Sequence, residues 1–139
     1  MISSKDSNET GILVSKKPDL GIFEANPLPL LIEALRAFAA AREWAQFHTP
    51  KNLACALSVE ASELLEHFQW LTEAQSQSLA PEKKQEVAAE AADVFLYLLQ
   101  LCDKLGIDLI AAAQAKMLVN AEKYPASIAR GTAKKYSEL

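Results

Sequence analysis

Residues 53–71 read LACALSVEASELLEHFQWL and residues 87–102 read VAAEAADVFLYLLQLC. Neither stretch contains glycine or proline, and neither alternates β-branched residues as a strand does. On a helical wheel of about 100° per residue, Leu53, Leu57, Leu64, Phe68 and Leu71 gather on one face, with Glu60 among them. Glu63 lies at the edge of that face and Glu66 points toward solvent. The second stretch is apolar nearly all round, which predicts the most buried helix of the chain. Glu90, Asp93 and Tyr97 share one side of it.

Punctuation on either side extends the helical reading. Pro27 and Pro29 suit the first turn of a helix reaching about His48. Thr49-Pro50 reads as N-cap and first residue of a second helix, ending near Leu71. Residues 72–80, TEAQSQSLA, read as a polar loop or frayed turn. Ala80-Pro81 opens a third helix, and Gly106 is placed to end it in the left-handed conformation. Asp108 caps a fourth helix running to about Lys123, ahead of Pro125. The expected fold is therefore all-α: a four-helix bundle over 27–125, with a flexible polar arm at 1–26 and an irregular, basic tail at 126–139. The first helix carries one stripe of Leu28, Leu31, Leu35, Phe38 and Ala39 and another of Ala34, Ala37, Ala41 and Trp44. Two stripes mean either a broad core face or a second copy of the chain covering the alanine side.

Composition bounds the function classes. The 139 residues are 50% hydrophobic and 23% charged, a globular balance that favours one domain. Fourteen basic against 18 acidic side chains leave a charge of −4, so no overall field attracts polymeric nucleic acid or an anionic membrane. The longest strongly apolar run, Val94–Leu101, is broken by Gln100 and falls short of a membrane span. MISSKDSNETGI at the start has no signal-peptide core. Cys55 and Cys102 read as two reduced core thiols. The expected location is the cytoplasm.

The carboxylates stand where leucines would be expected. A buried carboxylate is costly unless it protonates, pairs or binds a cation. Two E-x-x-[ED] pairs on consecutive helices can face each other and form a hard-oxygen site suited to Mg²⁺ or Mn²⁺. The competing readings are solvated acidic pairs, or carboxylates paired with arginine or lysine. A ferritin-like di-iron centre needs Glu-x-x-His on two helices. The only histidines are His48 and His67, and His67 follows Glu63 by four and Glu60 by seven, which is the wrong spacing. Four carboxylates outweigh one divalent ion, so the site favours a ligand that brings its own metal, as nucleotide phosphates do. Metal would polarise a phosphoryl group, and a carboxylate left free would serve as general base.

E60-A-S-E63, a spacer of 26 residues, then E90-A-A-D93 resembles the signature of the MazG-like all-α nucleoside triphosphate pyrophosphohydrolases. The likeness extends to FAAAREWAQFHTPKNLACALSVEASELLEHFQW (38–70), VFLYL (94–98), KMLVNAEKYP (116–125) and ARGTAKKYSEL (129–139), and is nearest to the dCTP pyrophosphatase branch. It implies cleavage of a (d)NTP, with dCTP or a modified dCTP first in line, to the monophosphate and pyrophosphate. It also implies Mg²⁺ and an intertwined dimer or tetramer. Glu60, Glu63, Glu90 and Asp93 would hold the metal and the attacking water. The family's E-V-G-E reads E-A-S-E here, and Ala61 and Ser62 are small enough for activity to persist.

Other residues are weighed singly. Trp44 and Trp70 lie in segments that resemble the family's base pocket, where an aromatic face stacks on any base; core packing is the alternative. His48 either touches nucleotide or caps the first helix. Tyr97 lines the pocket or packs in the core, while His67 is a surface or supporting residue. Lys116, Asn120, Lys123 and Tyr124 contact phosphate and sugar or form a solvated edge, and Arg130, Lys134 and Lys135 are a lid or a plain basic end. Activity on dUTP or across many NTPs is the alternative enzyme reading. A metal-stabilised helical interaction module without turnover is the non-enzymatic one.

Overall fold

A computed structural model describes residues 27–139 of the chain. The predicted arm at 1–26 lies outside the described residues. Among those residues there are six helices and two 3₁₀ turns, with no strand: α1 (Pro27–Ala40), α2 (Pro50–Glu66), α3 (Glu73–Ser76), α4 (Pro81–Leu105), α5 (Leu109–Lys123) and α6 (Ala126–Ala129). The all-α expectation and its four long helices hold.

Capping explains the boundaries that match. Thr49 Oγ1 accepts from the Asn52 N–H at 3.3 Å, with Pro50 next in line, so α2 starts where predicted. Asp108 caps α5 by accepting from the Ala111 N–H at 2.9 Å. Gly106 adopts φ 66°, and the Ile107 and Gly106 N–H groups reach back to the Cys102 and Asp103 carbonyls, a Schellman closure of α4.

Two boundaries differ. α1 ends at Ala40, not near His48. No glycine or proline forces this break. Instead Arg42 lies over the Phe38 ring, 3.5 Å from its centroid, and donates to the Phe38 carbonyl at 3.0 Å, while Glu43 takes up φ 54°. A left-handed glutamate costs roughly 1–2 kcal/mol, which is offset here by the aromatic and cation–π contacts on either side. α2 ends at Glu66, not Leu71. Phe68 and Leu71 make i→i−3 bonds that tighten the chain, and a Thr72–Gln75 capping box starts α3 inside the expected loop. The tail is more ordered than expected. It carries α6 and a 3₁₀ turn at Tyr136–Glu138, folded back so that Tyr136 meets Tyr124 edge-on at 6.1 Å.

α2 runs along α4 over most of its length, while α1 meets α4 over a shorter stretch. Glu60 falls beside Glu90 and Asp93, and His67 Nδ1 lies 3.7 Å from Glu86, so α2 and α4 are antiparallel. Leu53, Leu99 and Cys102 are the fully buried hydrophobics of the described chain. Two of them belong to α4, as expected of the most buried helix. Cys55 departs from the core-thiol expectation: it is exposed, and only Cys102 is buried. Arg36 and Asp103 tie α1 to the end of α4 through a bidentate ion pair, which holds the Asp103 carboxyl below its ordinary range. No helix among the described residues is long and apolar enough to cross a membrane.

Candidate active site

Three of the four predicted carboxylates converge. Oxygens of Glu60 on α2 and of Glu90 and Asp93 on α4 lie within 4.8 Å of one another. The cause is local: both helices are regular across these residues, and the antiparallel pairing sets the two motifs opposite each other. Glu60 and Glu90 are half-buried and Asp93 is exposed. Burial, then Glu63, Asp93 and Glu90 in turn, push the Glu60 carboxyl above its usual range. Glu63 is exposed at the edge of the group, and with Glu90 it borders a neighbouring polar cavity that also holds Lys83 and His67.

Oxygen ligands placed about 2.1 Å from Mg²⁺ stand roughly 3–4.2 Å from one another. Carboxylate oxygens that lie within 4.8 Å of one another are close enough to converge on one such ion. The donors are all hard oxygens without sulfur or imidazole, so the set fits Mg²⁺ or Mn²⁺.

Asp93 also forms part of a second feature. A cleft of about 360 Å³ runs between α1 and α4, with Asp93 at its wall and Phe38, Trp44, His48 and Tyr97 supplying rings. That volume sits at the lower end of small-ligand sites, roughly 300–1,000 Å³. Trp44 meets Phe38 and His48 edge-on, each at 5.8 Å between ring centres. The early end of α1 makes this cluster possible, because the turn after Ala40 folds Trp44 back toward Phe38. His48 is therefore not a cap on α1: its N–H donates to the Trp44 carbonyl at the end of the turn.

The structure thus brings Trp44, His48 and Tyr97 together with Asp93. It leaves Trp70 elsewhere, 86% exposed in the turn after α2. Lys116, Asn120, Lys123 and Tyr124 lie on or just beyond α5, away from the cleft of the same chain. Lys123 and Tyr124 pack against Tyr136 of the tail instead. Phe38 and Gln100 are cleft residues that the sequence reading missed. Phe38 had a place in the core stripe, but Gln100 left a signal as the one polar break in an apolar run, three residues after Tyr97.

Known proteins resemble the chain over most of its length. The model of the MazG-like family matches residues 55–139, which contain all four acids. The dCTP pyrophosphatase 1 of Homo sapiens is 42% identical over 124 residues, covering 86% of this chain and 73% of that protein. The Rattus norvegicus dCTP pyrophosphatase 1 is 41% identical over the same length and coverage. A crystal structure of a pyrophosphatase from Archaeoglobus fulgidus aligns with a TM-score of 0.69 at 43% identity, covering 73% of this chain and 94% of that one. A chain that is all-helical over its described residues, sets Glu60 against Glu90 and Asp93, and is matched over its larger part at this identity belongs to the MazG-like family.

Proposed function

We propose that this chain hydrolyses dCTP, or dCTP modified on its base, to the monophosphate and pyrophosphate, with Mg²⁺ at the acidic group and as a homo-oligomer. Pyrophosphohydrolase activity follows from the family and its named relatives. The choice of base, ion and assembly is the proposal. Asp93 supports it most directly, since one side chain belongs both to the carboxylate group and to the wall of the ring-lined cleft. A base held by the rings then leaves its phosphates at the acids.

Water attacks the α-phosphorus, the bond from that phosphorus to the α–β bridging oxygen breaks, and pyrophosphate departs with the bridging oxygen. Glu60, Glu90 and Asp93, with Glu63 beside them, would hold the metal, which neutralises phosphate charge and lowers the pKa of the attacking water. A carboxylate of the set takes the proton released by that water. Trp44 and Tyr97 both line the cleft and offer rings to the base.

Pyrophosphate release measured with Mg²⁺ across the common (d)NTPs tests the function. The expected result is highest kcat/KM for dCTP. Preference for dUTP, or an even spread, would assign the alternative enzyme reading, and no release from any NTP would leave the interaction module. Trp44→Ala is expected to raise KM for dCTP about tenfold with kcat little changed, since one base–aromatic stack contributes about 1–3 kcal/mol. Trp70→Ala is expected to raise KM by about one to two orders of magnitude by the same physics, provided a second copy brings that exposed ring to the cleft. An unchanged KM in steady-state assays removes the tryptophan concerned from the base pocket.

A further inference from the structure

Behind the cleft lies a smaller cavity of about 120 Å³, walled on one side by the Arg36–Asp103 ion pair. Arg36 Nε donates to one Asp103 oxygen at 2.8 Å, and Nη2 donates to the other. Leu35, His48 and Gln100 line both cavities, so the ion pair and the substrate cleft share a wall one residue thick. Gln100 precedes Asp103 by one turn of α4, and Asp93 precedes it by ten residues, about 15 Å along the same unbroken helix. α4 is thus a rigid element that carries an acidic site at one point and an anchor for α1 at another.

α1 needs an anchor. It has no fully buried residue, and it meets α4 over a short stretch only. Apolar contact of that kind tolerates sliding. A guanidinium fork on a carboxylate does not, because both of its hydrogen bonds form in one relative placement.

We infer that the Arg36–Asp103 pair is a positioning device: it fixes where α1 sits along α4, and so sets the spacing between the ring cluster at Phe38, Trp44 and His48 and the acids at Asp93. The pair makes its hydrogen bonds between Arg36 and Asp103 themselves, not to the acids or the rings. Its effect, which rests on the nucleotide-hydrolase function above, is to let one substrate reach both at once. Binding therefore suffers more than chemistry when the pair is lost. Arg36 is 63% exposed while Asp103 is 19% exposed, so the pair is half in solvent and its contribution to global stability is modest, and the loss in binding should exceed the loss in melting temperature.

Asp103→Asn and Arg36→Lys, the latter keeping charge but not the fork, test this in the full chain. Each is expected to raise KM for dCTP about three- to tenfold with kcat within about twofold. The Mn²⁺ dissociation constant, measured without nucleotide, stays unchanged. The reversed pair, Arg36→Asp with Asp103→Arg, is expected to recover most of the KM. A crystal structure of Asp103→Asn supplies a readout independent of turnover, with α1 displaced along α4. The inference is overturned if α1 stays in place, if KM is unchanged in both single variants, or if the rise in KM comes with a comparable fall in kcat and a fall in melting temperature, without recovery in the reversed pair. A wild-type chain that releases no pyrophosphate from any NTP defeats the functional proposal instead, and the position of α1 in Asp103→Asn still decides the inference.

Discussion

Glu60→Gln and Asp93→Asn are each expected to lower magnesium-dependent pyrophosphate release by at least about three orders of magnitude, because each removes charge at the one place where the phosphate-bound cation must be held. Circular dichroism should show the helices intact, since neither side chain bonds to a helix end. Stability moves the other way. In wild type without metal, burial and three neighbouring carboxylates raise the pKa of Glu60. The unfolded chain therefore loses this proton first, and wild-type stability declines as pH rises from the ordinary glutamate range through the raised value. Glu60→Gln has no proton to lose there. It should melt above wild type at neutral pH in metal-free buffer, and the gap should close in acid. Saturating Mg²⁺ reverses the ranking, since binding stabilises only the chain that binds. Near-normal turnover of either variant at saturating Mg²⁺ would show that its residue is not an essential ligand.

The sequence disclosed the acids because they violate a local rule. Glu60 and Glu90 interrupt apolar faces at helical spacing, and a regular helix carries that spacing into space without help from tertiary structure. The same holds for the caps at Thr49, Asp108 and Gly106. What stayed hidden depends on contacts between distant residues or on conformations that the residue type disfavours. Glu43 in the left-handed region ends α1 early, and no preference of glutamate announces it. Without that turn Trp44 would continue along the helix and never face Phe38. The Thr72–Gln75 capping box is written in the sequence, but the composition around it is that of a loop. Arg36 and Asp103 lie 67 residues apart, so nothing in either neighbourhood pairs them.

Aspartate in place of Met117 and Leu118 is expected to reduce the protein to monomers and to abolish turnover. α5 has no buried residue in a single chain, and these two side chains are 71% and 69% exposed. A 15-residue helix is marginal in water by itself. An apolar cover would stabilise it, and none of its residues is buried by the rest of the described chain. Phe38, Trp44 and Val59 are also exposed, so uncovered apolar surface extends over α1, α2 and α5. Few side chains are buried among the described residues, and a second copy of the chain is the cover proposed above for this surface, with a broad core face as the other reading of the two stripes of α1. The same assembly would bring Lys116 and Asn120 of one α5, which lie outside the cleft of their own chain, toward a neighbour's acids. Light scattering at low micromolar concentration should give two or four times 15.2 kDa for wild type. The double variant should scatter as a single chain and lose both helicity and pyrophosphate release, because charge buried in an obligate interface is left unpaired. An active wild-type monomer of 15.2 kDa would remove the need for a partner and return α5 to solvent.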